Sequence, residues 1–177
     1  MTISQKKEYS KELIKEIEKL IKYYKLNCSI EEFQDKVSWK DISRDQQLSE
    51  KFIREFKDKV IWWAISAAQK LSEDFIKEFK DKVNWKNISR TQKLSEKFIR
   101  EFKDKVDWTW IARYQKLSED FIKEFEDKID WKYISKCRKL DLDLFVELFT
   151  EIKGKIDIDK IVKNKKIEKI LIDGLFI

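Results

Sequence analysis

A 23-residue period governs this chain. The stretch at 94–116, LSEKFIREFKDKVDWTWIARYQK, recurs in close copies that begin at Leu48, Leu71 and Leu117, and a fifth, degenerate copy opens at Leu140. A fixed period in this range marks a repeat protein, because one short supersecondary unit cannot bury its own apolar face and must lean on its neighbours. The 177 residues include no proline and only two glycines, Gly154 and Gly174. That combination suits uninterrupted short helices and few turns with special backbone angles. The expected fold is therefore all-α: an α-solenoid of stacked two-helix repeats, with a helical cap at each end and no strands.

Each good repeat divides into two helices. In the unit that starts at Leu117, Ser118 is placed as an N-cap, and Glu119 and Asp120 put negative charge at the positive end of the helix dipole. Leu117 and Ile122 are spaced as a hydrophobic staple. Phe121, Ile122 and Phe125 then follow the spacing of a buried helical face, and Asp127, Lys128 and Ile129 turn the chain. Asp130 opens a second helix that runs from about Trp131 to Cys137, with Asn84 and Asp107 as the equivalent caps in the preceding repeats; Ile61 breaks the rule. Helices of eight or nine residues do not persist alone in water. The Phe residues and the Trp row at 39, 62, 85, 108 and 131 are thus expected to form a core between neighbouring units.

The ends depart from the pattern. Leu13, Ile14, Ile17, Leu20, Ile21 and Tyr24 make one apolar stripe on a helix that Ser10 is positioned to cap, so residues 1–25 read as an N-terminal cap helix. Residues 26–47 form a degenerate repeat that has lost the Leu-Ser-Glu opening, 48–139 form four regular repeats, and 140–177 form a degenerate repeat and C-terminal cap, all within a single domain. Leu175, Phe176 and Ile177 make an apolar terminus that offers a self-assembly alternative.

The segments LSEKFIREFKDKVDW, LSEDFIKEFKDKVNWKNIS and LSEDFIKEFEDKIDWKYIS resemble a short tandem repeat, LSExFIxEFxDKVxWxxIS, of uncharacterised proteins from giant DNA viruses, some phages and AT-rich bacteria. The resemblance covers roughly residues 30–139. It implies an α-helical array and a viral or mobile-element origin, and it brings no catalytic motif with it.

Composition argues against an enzyme. The chain has no histidine, so neither a Ser-His-Asp nor a Cys-His nucleophile can be assembled, and two isolated glycines cannot make a phosphate-binding loop. No cofactor or metal is expected. Cys28 and Cys137 occupy non-equivalent repeat positions, which fits free thiols in a reducing compartment. No stretch approaches the length of a membrane span, and the expected location is cytoplasmic, the host cytoplasm if the origin is viral. The recurring Asp-Lys pairs (35–36, 58–59, 81–82, 104–105 and 127–128) read as a structural ladder, since an active site does not occur five times in one small chain.

Function is expected where the repeats differ. On the second helix of each unit, positions equivalent to 63, 64, 67 and 68 carry Trp63, Ala64, Ala67 and Ala68, then Lys86, Asn87, Arg90 and Thr91, then Thr109, Trp110, Arg113 and Tyr114, then Lys132, Tyr133, Lys136 and Cys137. Aromatic and arginine side chains on a helix face are the composition of a protein-binding hot spot. The candidate partner-binding residues are Trp63, Asn87, Arg90, Trp110, Arg113, Tyr114, Tyr133 and Lys136, with Arg44 in the same basic row. The expected role is a non-enzymatic binding scaffold that docks on and inhibits a host macromolecule, such as a defence factor or a nucleic-acid-handling complex. Nucleic acid itself is the alternative partner. The surplus of two positive charges in each of 48–70, 71–93 and 94–116, and of none in 117–139, is weak for a phosphate track.

Overall fold

A computed structural model of the chain describes residues 9–129, and every regular element in that range is an α-helix. The chain divides into two compact units, Met1–Asn84 and Trp85–Ile177. The expected C-terminal cap, the second helix of the last regular repeat and Tyr133, Lys136 and Cys137 lie outside the described residues.

In the first unit, α1 (Lys11–Tyr23) begins at Ser10, whose hydroxyl accepts from the Leu13 amide, and it buries Leu13, Ile17 and Leu20. It ends in a Schellman motif. The Leu26 amide donates to the Ile21 carbonyl, the Lys25 amide donates to Lys22, and Lys25 takes a φ of 52°. Lys25 is the one non-glycine residue with positive φ among those described, at a position where glycine is normally found because a Cβ is disfavoured there. The degenerate repeat follows. Its lost Ser-Glu signal is replaced by a reciprocal capping box between Ser29 and Glu32, each side chain bonding the other's amide. This leads into α2 (Phe33–Lys36), and Ser38 then caps α3 (Trp39–Asp45).

The regular repeats alternate two helix types. The first is α4 (Glu50–Glu55) and α6 (Glu73–Glu78) in the first unit, with α8 (Glu96–Glu101) and α10 (Glu119–Glu124) in the second. The second is α5 (Trp62–Ala68) in the first unit, with α7 (Trp85–Thr91) and α9 (Trp108–Tyr114) in the second. These helices have six and seven residues; the second type keeps the span expected from Trp131 to Cys137, and the first type is shorter than the eight or nine expected. The phenylalanine closing the first helix type adopts a non-helical conformation at the C-cap, which ends it a turn early. In each case the predicted serine caps the first helix: Ser49, Ser72, Ser95 and Ser118 accept from the amides of Phe52, Phe75, Phe98 and Phe121 at 3.0 to 3.2 Å.

The core is built from Phe33, Phe52 and Phe75 with Ile53, Ile65 and Ile76 in the first unit, and from Phe98, Phe121, Ile99 and Ile111 in the second, all essentially inaccessible. Each such side chain contributes roughly 1.5 to 3 kcal/mol on burial. The tryptophan row sits at the edge of this core and is half-buried. Trp62 lies 4.9 Å from Phe79 and stacks at 6.3 Å on Phe75, and Trp108 repeats both distances with Phe125 and Phe121. Its indole N–H donates to the carbonyl five residues earlier, Lys57 for Trp62 and Lys103 for Trp108, at 2.9 Å.

Stacking also uses polar bonds between repeats. Buried Gln69 reaches back across the repeat boundary: its amide nitrogen donates to the Ser43 and Gln46 carbonyls of the preceding repeat at 3.1 and 2.7 Å, and its carbonyl oxygen accepts from the amide of Leu48, which opens its own repeat, at 2.9 Å. Gln115 does the same in the second unit, with the Ser89 and Gln92 carbonyls at 3.0 and 2.8 Å and the Leu94 amide at 3.0 Å. Buried serines accept from the N-cap amide of the next helix of their own type: Ser43 from Ile61, Ser66 from Asn84 and Ser89 from Asp107, at 2.9 to 3.0 Å. Ile61 has no side chain able to cap α5, yet its own amide is satisfied in this way.

A third row is acidic. The Ser72 amide donates to Glu50 one repeat earlier at 2.6 Å, and the Ser118 amide donates to Glu96. Glu16 of α1 plays that part for Ser49, accepting from its amide at 2.8 Å and its hydroxyl at 2.6 Å. The N-terminal helix thus presents to α4 the carboxylate that a preceding repeat would have supplied. The Asp-Lys pairs form the expected ladder, Lys82 reaching Asp58 and Lys128 reaching Asp104 at 3.5 Å. The bond from Lys82 holds the Asp58 carboxyl below its ordinary range.

Two substitutions test this account. Gln115→Ala leaves the Leu94 amide and two carbonyls without their buried partner, and thermal or urea unfolding should show a loss of roughly 3 kcal/mol or more, at least about 1 for each group; an unchanged midpoint would mean that the glutamine bridge does not matter. Lys25→Gly should raise stability by roughly 1 kcal/mol, because it removes the left-handed strain, and a loss of stability would contradict the Schellman assignment.

Candidate functional site

The second helix of each repeat presents its variable positions outward, but not all four that the spacing suggested. The first and last of the four are exposed: Trp63, Lys86 and Thr109, then Ala68, Thr91 and Tyr114. The position held by Ala64 faces inward instead. Ala64 is 1% exposed, and Asn87 and Trp110 at the equivalent sites are half-buried. Seven-residue helices packed side by side bury part of a third position as well as the two on the core side. This seam lets a large side chain at that position lie against the neighbouring helix.

In the second unit this is what Trp110 does. Helices α7 and α9 pack directly on one another, and Arg90 from α7 places its guanidinium carbon 5.6 Å from the centre of the Trp110 ring. Arg113, from the next turn of α9, lies 5.7 Å from the same ring and 5.3 Å from Tyr114. Trp110 and Tyr114, four residues apart on one helical face, stack at 5.5 Å with an interplanar angle of 15°. Four of the expected residues, Arg90, Trp110, Arg113 and Tyr114, therefore form one cluster of two rings and two guanidinium groups. Each cation lies within the range over which a ring face attracts it. Asn87 is nearby in sequence and half-buried, its carbonyl accepting from the Thr91 hydroxyl at 3.0 Å.

Trp63 belongs to the first unit, where it is 51% exposed on a helix without a charged residue. Arg44 does not behave as the basic row implied. Its guanidinium binds both oxygens of Asp45 at 2.7 Å and reaches Asp41 at 3.3 Å. Asp45 beside it makes Arg44 still harder to deprotonate, and Arg44 in turn pulls Asp45 below the ordinary carboxylate range. Its charge is spent locally.

The arginines of the first helix type are likewise engaged. Arg54 lies 4.9 Å over Phe75 and is bonded to Glu78 at 2.6 Å, with Glu50 at 3.6 Å. Arg100 lies 4.8 Å over Phe121, bonded to Glu124 at 2.7 Å with Glu96 at 3.7 Å. Arg90 has an aromatic face but no ion pair among the described residues. The structure brings the four expected residues Arg90, Trp110, Arg113 and Tyr114 together, and it does so at the half-buried seam between α7 and α9, which their residue types alone do not reveal.

Among the described residues no group of three or more histidine, cysteine, aspartate or glutamate side chains is placed to hold a metal ion. No helix in that range is long and apolar enough to cross a membrane. The fold and this surface define an α-helical repeat protein with an exposed aromatic and arginine cluster. Comparison with known protein families, with curated proteins and with solved structures finds no match to the chain.

Proposed function

We propose that this chain is a non-enzymatic helical-repeat scaffold that docks through the α7–α9 surface on a host macromolecule and inhibits it by occupying a surface. The observation that carries this reading is the stacked Trp110–Tyr114 pair flanked by Arg90 and Arg113. Tryptophan, tyrosine and arginine are the residues that dominate binding energy in protein interfaces. Here they are gathered where the repeats differ from one another, while the residues that the repeats share are used to hold the stack together. The resemblance to tandem repeats of giant DNA viruses and phages supports a viral or phage origin, and with it a host defence factor or nucleic-acid-handling complex as the target.

Nucleic acid is the second reading, since bases also stack on aromatic rings beside cations. It is disfavoured because the basic groups of the first unit are interrupted: Arg44 is neutralised by Asp45 and Asp41, and α5 carries no cation at all.

Affinity capture from host lysate with the full chain, after nuclease treatment, tests the reading. The wild-type chain should retain a protein partner that Trp110→Ala/Arg113→Ala loses by roughly thirtyfold or more, the effect of removing a hot spot. Equal retention by the double variant would refute this surface, and a partner released by nuclease would transfer the role to nucleic acid.

A further inference from the structure

The outer side of the N-terminal helix carries a row of like charge. In α1 the face made by Leu13, Ile17 and Leu20 is buried. The four lysines of the helix, Lys11, Lys15, Lys19 and Lys22, fall on the opposite side at helical spacing, and all are exposed. At 1.5 Å per residue the row is roughly 16 Å long. Lysines so spaced repel one another unless acids stand between them. The helix has three glutamates, but two are turned to α4. Glu12 pairs with Lys51 at 3.1 Å, and Glu16 accepts from the Ser49 amide and hydroxyl at 2.8 and 2.6 Å. Glu18 stays on the outer side, and none of the four lysines pairs with it or with another carboxylate among the described residues.

An aromatic ring stands at the end of this row. Tyr23 is 65% exposed. It packs edge-on with Tyr24, ring centres 4.9 Å apart at 77°, and the Tyr24 hydroxyl is fixed in turn by accepting from Gln46 at 3.2 Å. The exposed ring is thereby positioned within one turn of Lys19 and Lys22. Lys25, exposed just past the helix end, adds a cation at the left-handed position where glycine would be unstrained.

We infer that α1 takes a single strand of nucleic acid, with phosphates along Lys11, Lys15, Lys19 and Lys22 and a base stacked on Tyr23. Three features select this ligand over other polyanions. The cations are lysines, point charges suited to phosphate, and not the forked guanidinium groups that match carboxylates. The apolar face of α1 is turned into the core, so the helix has no apolar side to lay into a membrane. An exposed ring beside cations is what a base stacks on. The interruption of charge at Arg44 and α5 concerns the second helices of the repeats and leaves this row on the capping helix intact. The inference goes beyond the docking surface proposed above and does not depend on it.

Binding measurements on the full chain provide the test: fluorescence anisotropy with labelled oligothymidylate and labelled polyglutamate, and co-sedimentation with phosphatidylserine vesicles. Oligothymidylate should bind most tightly, and its affinity should fall with salt at a logarithmic slope of about −3, roughly 0.7 for each of the four lysines. Lys15→Gln/Lys19→Gln should roughly halve that slope, Lys15→Arg/Lys19→Arg should keep it, and Tyr23→Ala should weaken binding by about tenfold, the effect of one stacked base. The same charge removed from α3 and α8, in Lys40→Gln/Lys97→Gln, should leave the slope unchanged. No binding of oligothymidylate at low salt, tighter binding of polyglutamate or of vesicles, or a wild-type slope in Lys15→Gln/Lys19→Gln would overturn the inference. The comparison of probes on the wild-type chain stands even if a variant misfolds. Lysate capture reads Trp110 and Arg113 whereas these measurements read α1, so either can fail while the other holds.

Discussion

In each of the two units a buried glutamine ties the polypeptide to its own previous turn. Gln69 and Gln115 each satisfy three backbone groups in the connection between the two helices of adjoining repeats. These groups would otherwise be buried without partners, at a cost of roughly 1 to 3 kcal/mol apiece. Connections between helices of six and seven residues are a large fraction of such a fold, so the way that their amides and carbonyls are satisfied decides whether the stack can be dry inside. The phenylalanine core provides the driving force. The glutamine, serine and glutamate bonds set the register in which it is applied, because each spans from 18 to 26 residues and fits only one offset between neighbours.

The division of labour between shared and unshared residues follows. Positions occupied alike in every regular repeat either build the core, as the two phenylalanines do, or hold the helices in place, as the capping serine does. Positions that vary lie on the outside of the second helix, free of that duty. Trp110 stands between the two classes: half-buried on the seam of α7 and α9, it contributes to packing and also fixes Arg90 and Arg113 at the surface. A surface made of pre-placed guanidinium groups and stacked rings loses little conformational entropy when a partner arrives.

Much of this was legible in the sequence because it is local. The Ser caps, the alternation of helices and the burial of Phe98 and Ile99 follow from spacing within a dozen residues, and the structure has them where the pattern puts them. What was hidden acts across repeats. Glu50 and Glu96 look like ordinary first-turn acids favoured by the helix dipole, and nothing local indicates that they receive the serine amide of the next unit. Gln69 falls at helical spacing on the face that Trp62 shares, but its three backbone partners are 21 to 26 residues away. Likewise Arg44 matches Arg90 in repeat position, and only the geometry of Asp45 and Asp41 separates a neutralised arginine from an available one. Ala64 was misplaced because a helical wheel treats each helix as having one neighbour, and these have more.

Amide hydrogen exchange on the intact chain measures the inter-repeat bonds directly. The amides of Leu48, Leu94, Ile61 and Asp107 lie outside regular helices; Ile61 and Asp107 donate to a serine of the preceding repeat, and Leu48 and Leu94 donate to the glutamine that also holds two carbonyls of the preceding repeat. If those bonds hold the stack, these amides should exchange as slowly as helical amides such as those of Phe52 and Ile111, since both open only when the repeats part. Exchange at the rate of an exposed loop, with the helical amides still protected, would show that the repeats stack without them and would contradict the account.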